Sequence, residues 1–260
     1  MSQFYRFALL GDPVKHSRSP QIQEGALSLA GLQGDYRPII ADRILLERTL
    51  SDLASGLLYG INVTMPLKQV AYELCDLTTP EARVAGSVNT LRSEQGVISG
   101  HSTDAVAFKE LFGDEDLRDL SNLLVLGAGG SAAAALSVAG EKKVYVSARS
   151  EERAHRLTDD LDVGNVIPWG TAVASALVVN ATPLGMSDEA LPDGILEVAG
   201  GLLDLPYGVG ATPAVALASA IGIPVIDGFE FLARQAAASF QWWTGMTVDF
   251  ANLAEIARNV

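Results

Sequence analysis

The sequence predicts an α/β protein of two domains, each built on a mainly parallel sheet. Three observations carry this. Apolar, strand-like runs alternate with helical runs along the whole chain, and repeated βαβ order implies parallel strands joined by right-handed crossovers. The alternation stops over residues 113–122, a polar, acidic stretch, and restarts at Leu123. The restart opens on a glycine-rich turn between a strand-like and a helix-like run.

In chain order, residues 4–10 read as a strand. Residues 19–30 read as a helix opened by Ser19-Pro20, with Ser19 as N-cap and Gly31 as its stop. A second strand is expected over 36–40, a helix over 43–53 and a third strand over 57–63. The next helix is expected over 66–74, with Pro66 in its first turn. Residues 88–92 and 97–99 form a hairpin, and a helix over 103–112 leads out of the first half. In the second half, strands over 123–126 and 143–147 flank the alanine-rich helix 131–139. Helix 151–161, strands 177–180 and 202–205, helix 212–220 and strand 225–226 follow. Residues 229–244 and 248–259 are amphipathic and helical. The expected domains are 1–103 with 228–260, and 104–227.

Composition excludes several classes of function. The chain has 260 residues, 48% of them hydrophobic and 19% charged, a globular balance. With 18 Lys and Arg against 31 Asp and Glu, the formal charge is −13, a surface that repels nucleic acid. Cys75 is the single cysteine, so neither an internal disulfide nor a cysteine metal cluster can form; we expect it in the core. His16, His101 and His155 show no metal-ligand spacing, and no metal is expected. Residues 1–6 lack the pattern of a signal peptide, and no apolar run reaches about 18 residues. The expectation is a cytoplasmic protein with no membrane partner.

Gly127-Ala128-Gly129-Gly130-Ser131-Ala132 follows the strand-like 122–126 and precedes a helix-forming run. This is the dinucleotide fingerprint in its required context. Gly127 permits the tight turn, Gly129 lets backbone approach a pyrophosphate, and Ala132 lets the helix pack on the strand. The end of the next strand selects the dinucleotide. An acid there binds the ribose 2′-hydroxyl of NAD; this chain has Arg149, followed by Ser150 and Arg153. Two arginines four apart can converge on a 2′-phosphate, so NADP is expected. The alternative for Arg149 is a surface ion pair with Glu151 or Glu152.

In the first half, Asn62-Val63-Thr64-Met65-Pro66-Leu67-Lys68 runs from a buried strand into a helix. Lys68 opposes the helix dipole, a cost of about 0.3–1 kcal/mol that stability alone would avoid. It also lies at the carboxyl edge of the sheet, where open α/β folds bind ligands. Asp104, in Ser102-Thr103-Asp104, could hold Lys68 and accept a substrate hydroxyl, or serve only as an acid at a helix start. Ser17 and Ser19 flank Arg18, and both hydroxyls could bind a carboxylate.

Taken together, these segments resemble the shikimate dehydrogenase family. The resemblance covers Gly11 to Pro20, Asn62 to Lys68, Gly86-Ser87-Val88-Asn89-Thr90, Ser102 to Asp104, the glycine turn and Ala148 to Ser150. It continues through Asn180 to Met186, Asp204-Leu205-Pro206-Tyr207, Asp227-Gly228 and Gln235 to Gly245. It implies a substrate and catalytic domain, a Rossmann-like NADP domain, and C-terminal helices folded back on the first domain. The implied reaction is the reversible NADP-linked reduction of 3-dehydroshikimate to shikimate.

By the same resemblance, Lys68 and Asp104 are the catalytic pair, and Ser17 and Ser19 bind the substrate carboxylate. Thr64, Asn89, Asp104 and Gln235 bind ring hydroxyls, with Tyr207 nearby. Arg149, Ser150 and Arg153 hold the 2′-phosphate. Asn180, Thr182, Met186 and Gly228 lie toward the nicotinamide ribose. The chain departs from the family pattern at Gln23-Glu24 (usually His-Asn), Ser102 (usually Asn), Ala105 (usually Gly) and Glu230-Phe231 (usually Gly-Met). Phe231 is expected to crowd the nicotinamide or the substrate ring. Neighbouring readings are a quinate/shikimate or aminoshikimate dehydrogenase, a folate-linked dehydrogenase, and a non-catalytic paralogue that binds shikimate and NADP. A monomer or a homodimer is expected.

Overall fold

The computed structural model describes residues 3–208 and 210–259. The chain divides into two compact units, Met1–Val106 with Leu232–Val260, and Ala107–Phe231.

The first unit contains strands β1 (Phe4–Gly11), β2 (Gln33–Ile40), β3 (Gly60–Val63), β4 (Leu77–Thr78), β5 (Thr90–Glu94) and β6 (Val97–His101). Its helices are α1 (Ser19–Leu29), α2 (Arg43–Ala54), α3 (Lys68–Leu74), α4 (Pro80–Ala85) and the start of α5 (Thr103–Phe112). The sheet runs β2-β1-β3-β5-β6-β4. Its β1/β2, β1/β3 and β4/β6 pairs are parallel; the β5/β6 hairpin is antiparallel and joins β3 antiparallel, Asn62 opposite Thr90.

The second unit contains β7 (Asn122–Leu126), α6 (Gly130–Ser137), β8 (Lys143–Ser147), α7 (Glu151–Leu161) and β9 (Asn165–Ile167). It continues through β10 (Ala176–Asn180), β11 (Gly201–Asp204), α8 (Pro213–Ile221) and β12 (Val225–Ile226). Its sheet is parallel throughout, in the order β12-β11-β10-β7-β8-β9. Counted from β7, that is the doubly wound nucleotide-binding order, with its switch point between β7 and β10.

Helix α9 (Gly228–Thr244) begins in the second unit and ends in the first, and α10 (Phe250–Arg258) belongs to the first, packed on α1. The C-terminal helices therefore return to the first sheet. Trp243 stacks on Phe7 with ring centroids 4.6 Å apart, and its Nε1 donates to the Leu91 carbonyl at 2.9 Å. Trp243 is buried, and truncating such a side chain costs about 3–5 kcal/mol. The Cys75 side chain is partly buried against the first core, where burial pushes its thiol up to about 12.

Three expectations about local structure are corrected. Ser19 is not the N-cap of α1: Arg18 holds that position without a side-chain cap bond, and the Ser17 hydroxyl accepts from Ser19 N at 3.2 Å. Pro66 is not in the first turn of α3; it lies in a turn closed by Leu67 N on the Thr64 carbonyl, which delays the helix to Lys68. Residues 57–59 precede β3 and do not extend it.

No helix among the described residues is long and apolar enough to cross a membrane.

Candidate active site and nucleotide-binding turn

In the first unit, the chain leaves β1 and β3 at the same edge of the sheet. Thr64 N donates to the Leu10 carbonyl at 2.8 Å and Asp12 N to the Met65 carbonyl at 2.9 Å, tying the two exits together. Ser17 follows one exit, and Thr64 and Lys68 follow the other. Lys68 is the first residue of α3, in the opening turn where the sequence places it, and its side chain is largely buried.

Lys68 Nζ donates to Asp104 Oδ2 at 2.5 Å, with side-chain exposures of 16% and 7%. Asp104 is the second residue of α5, and Ser102 Oγ accepts from Ala105 N at 3.4 Å, the bond of a helix cap. The other carboxylate oxygen is also held: Asn89 Nδ2 donates to Asp104 Oδ1 at 3.0 Å. The orientation of the Asn89 amide follows from a backbone group. Thr103 N can only donate, and it reaches Asn89 Oδ1 at 2.8 Å, which turns Nδ2 toward Asp104. Asp104 thus accepts on both oxygens, as an ionised carboxylate does.

Behind this pair is a network of polar groups inside an apolar core. Thr90, Thr103 and Ser239 form a triangle of hydroxyls at 2.9–3.2 Å, all 0% exposed. Asn62 Nδ2 donates to Asn89 O at 3.0 Å and to Thr90 Oγ1 at 2.9 Å, and Tyr36 OH donates to Asn62 Oδ1 at 2.8 Å. Gln235, on α9, points its Oε1 to Asn89 Nδ2 at 3.4 Å and donates from Nε2 to the Leu232 carbonyl. Burying so many polar groups is tolerable because each is bonded.

Lys68, Asp104, Asn89 and Gln235 are therefore brought together through hydrogen bonds. Thr64 is partly buried at the neighbouring strand exit, and Ser17 and Ser19 sit at the start of α1. Tyr207 lies in the second unit, its ring 5.5 Å from that of Phe229.

In the second unit, Gly127 takes φ +110°, and a Cβ there would lie 2.9 Å from the Ala181 carbonyl oxygen. Only glycine fits this approach of the β7 exit to the β10 exit. Gly129 differs: a Cβ on it would meet nothing within 4 Å, so the space above it is open. Helix α6 begins at Gly130, one residue earlier than expected, and Ala133 N bonds back to the Gly129 carbonyl at 2.9 Å. The N–H groups that open a helix have, as a rule, no acceptor within it. Ala132 is fully buried. Glycine without steric need, a fresh helix start and the sheet's switch point together fit a dinucleotide pyrophosphate.

Arg149 and Arg153 are exposed, and neither makes an ion pair among the described residues. The alternative pairing with Glu152 is not what forms: Glu152 pairs with Arg156 at 2.8 Å. Ser150 caps α7, accepting from Arg153 N at 3.4 Å. These free guanidinium groups fit a phosphate.

Asn180 and Gly228 are committed to structure. Asn180 Nδ2 donates to Asp204 Oδ1 at 2.7 Å and to the Leu184 carbonyl at 2.9 Å, while its Oδ1 accepts from Thr182 N and Oγ1. Asp204, which also accepts from Thr212 Oγ1, has its carboxyl raised above the usual range by burial. A Cβ on Gly228 would lie 2.5 Å from two carbonyl oxygens, of Leu205 and Pro206. Met186 is 52% exposed. Phe231 is 7% exposed and packs on Phe108, centroids 4.7 Å apart. Gln23, another departure, is buried and donates from Nε2 to the Ala236 carbonyl at 3.1 Å.

Sequence reasoning assigned no role to Asn62, Thr103 or Ser239. The available signals were a polar residue inside the apolar β3 and a serine four residues after Gln235 on a helix.

Residues 9–91 match the family described as shikimate dehydrogenase substrate binding domain, and residues 228–258 match shikimate 5′-dehydrogenase C-terminal domain. Shikimate dehydrogenase (NADP(+)) of Thermus thermophilus is 36% identical, covering 97% of each chain. That of Xylella fastidiosa is 37% identical, covering 94% of this chain and 92% of its own. The crystal structure of shikimate 5-dehydrogenase from Thermus thermophilus in complex with NADP(H) and shikimate superposes with a TM-score of 0.88. It is 34% identical and covers 98% of this chain and 99% of its own.

Proposed function

The chain belongs to the shikimate dehydrogenase family, and from that premise we propose that it catalyses the reversible NADPH-dependent reduction of 3-dehydroshikimate to shikimate in aromatic amino acid (chorismate) biosynthesis. The observation that carries the reading is the buried Lys68–Asp104 bridge at 2.5 Å, with the second Asp104 oxygen held by Asn89.

Bound NADPH supplies the hydride. The work of this chain is to hold the ring and manage the proton. Lys68, as an ammonium, stabilises the negative charge that develops on the C3 oxygen and donates a proton to it. In the reverse direction the neutral amine takes that proton from the hydroxyl. Asp104 orients Lys68 and accepts from a ring hydroxyl. Asn89, Thr64 and Gln235 bind ring hydroxyls. Ser17 and Ser19 receive the carboxylate beside the start of α1, where the positive end of the helix dipole favours an anion. Holding the ring in register supplies much of the remaining acceleration.

The second unit carries the cofactor in this reading. Gly127, Ala128, Gly129, Gly130, Ser131 and Ala132 receive the pyrophosphate, and Arg149, Ser150 and Arg153 the 2′-phosphate. Thr182 and Met186 line the nicotinamide side. Asn180 and Gly228 shape that side through their structural bonds and close packing. The first unit is the substrate and catalytic domain. A cytoplasmic protein, monomeric or homodimeric, goes with this reading.

The test follows reduced-nicotinamide absorbance with shikimate and NADP, with quinate and NAD in parallel. Turnover with shikimate and NADP that collapses in Lys68→Ala supports the assignment. Turnover chiefly with quinate or NAD, or binding of shikimate and NADPH without turnover, overturns it.

A further inference from the structure

Ser239 lies on α9 one turn beyond Gln235, fully buried. Its hydroxyl donates to the Gln235 carbonyl at 2.9 Å, the common way for a helical serine to satisfy itself. Three further contacts go beyond that habit. Ser239 Oγ lies 2.9 Å from Thr90 Oγ1 on β5 and 3.0 Å from Thr103 Oγ1 at the start of α5, and it accepts from Asn62 Nδ2 on β3 at 3.2 Å. One hydroxyl therefore touches three elements of the sheet side while sitting on the helix that carries Gln235.

We propose that Ser239 is a positioning residue that keys α9 to the hydroxyl network, fixing Gln235 and the Asn89–Asp104 pair for the substrate ring. The inference rests on the reading of the Lys68–Asp104 site given above. The path is short. Thr103 fixes the Asn89 amide through its N–H at 2.8 Å, Asn89 holds Asp104, and Asn89 Nδ2 reaches Gln235 Oε1 at 3.4 Å. That last contact is long, so it depends on where the helix stands.

The network shows why the residue can be removed without unfolding the site. Without the Ser239 hydroxyl, Asn62 Nδ2 keeps the Asn89 carbonyl and Thr90 Oγ1. Thr90 and Thr103, 3.2 Å apart, keep Asn89 Oδ1 as an acceptor for their hydroxyl protons. Helix α9 stays docked through Trp243 Nε1 on the Leu91 carbonyl and Gln23 Nε2 on the Ala236 carbonyl. What is lost is the link between helix and network.

The experiment compares wild type, Ser239→Ala and Ser239→Cys by steady-state kinetics, with thermal unfolding of each. Cysteine nearly preserves volume but is a weak hydrogen-bond former. The expected result is a rise in KM for shikimate of about threefold to tenfold in both variants, the worth of one neutral hydrogen bond. The KM for NADP stays at its wild-type value, and the unfolding midpoint falls by about 2–4 °C, the shift that one lost hydrogen bond produces in a chain of this size. Full rescue by cysteine would make the role one of packing and overturn the inference, as would unshifted kinetics, or a joint rise of both KM values. Wild-type protein that turns over no shikimate overturns the proposed function and this inference together; normal wild-type turnover with unshifted variants overturns the inference alone.

Discussion

Around Lys68, the working groups of the first unit already have protein partners. Asp104 accepts on both oxygens, and Asn89, Thr90, Thr103 and Asn62 are bonded to one another. In the second unit, the turn above Gly129 is open, and Arg149 and Arg153 make no ion pair among the described residues. The difference follows from what each region must do. A proton donor works from a fixed position, so its orientation is set by the fold before substrate arrives. A phosphate brings its own charge and acceptors, so its partners can wait in solvent and keep their donors unspent.

The contrast is most exposed at Lys68. Replacing it with alanine removes the proposed proton donor and leaves Asp104 with Asn89 alone. We expect kcat to fall by about a hundredfold to ten-thousandfold, while NADPH binding, followed by its fluorescence, is retained. A small loss of kcat would show that the prepared site is not where the chemistry occurs.

Arg149→Ala should act on the other side of the comparison. The KM for NADP should rise roughly tenfold to a hundredfold, the range for a charge-assisted bond, with the KM for NAD unchanged. Equal losses for both cofactors would mean that Arg149 does not read the 2′-phosphate.

The two glycines sharpen the contrast within the second unit. Gly127→Ala forces a Cβ to 2.9 Å from the Ala181 oxygen at φ +110°, and denaturant unfolding should show a loss of about 1–3 kcal/mol. Gly129→Ala meets open space and should keep wild-type stability while weakening NADPH binding. Equal destabilisation by both substitutions would erase the distinction between a glycine the fold needs and one the ligand needs.

The smallest effect expected is a pH dependence of stability. Burial lowers the His101 pKa from its ordinary 6.5, against an opposing effect of Glu81. The imidazole Nδ1 is 2.8 Å from Thr79 Oγ1, and the ring faces Trp242. The folded protein holds the neutral ring and the unfolded chain takes up the proton first, so this contribution is complete above about 6.5 and is lost as pH falls through the folded value. His101→Gln should flatten that part of the stability curve measured by urea unfolding. An unchanged slope would assign the acid sensitivity to other groups.

Much of the fold was legible because its strands and helices are strongly patterned. The helices over Thr103–Phe112 and Glu151–Leu161 and the strand Lys143–Ser147 lie where periodicity and capping put them. Three short pieces escaped. β4 has two residues, α4 six and β9 three, too few for a period to show. Ser19 and Pro66 misled because each suits a helix start locally, while Arg18 takes the N-cap position of α1 and the Thr64 turn holds Pro66 outside α3.

The sequence by itself determined the two βαβ halves, the glycine turn, the arginine at the end of β8 and the pairing of Lys68 with a later Asp104 as a hypothesis. These are properties of neighbouring residues, and local spacing encodes them. Only the tertiary structure decided that Asn89 turns its amide toward Asp104, that Phe231 packs on Phe108, and that Ser239 joins β3, β5 and α5. Each of these depends on which groups, up to 177 positions apart for Asn62 and Ser239, come within reach of a hydrogen bond or of ring packing. No spacing rule in the chain fixes such distances; packing does.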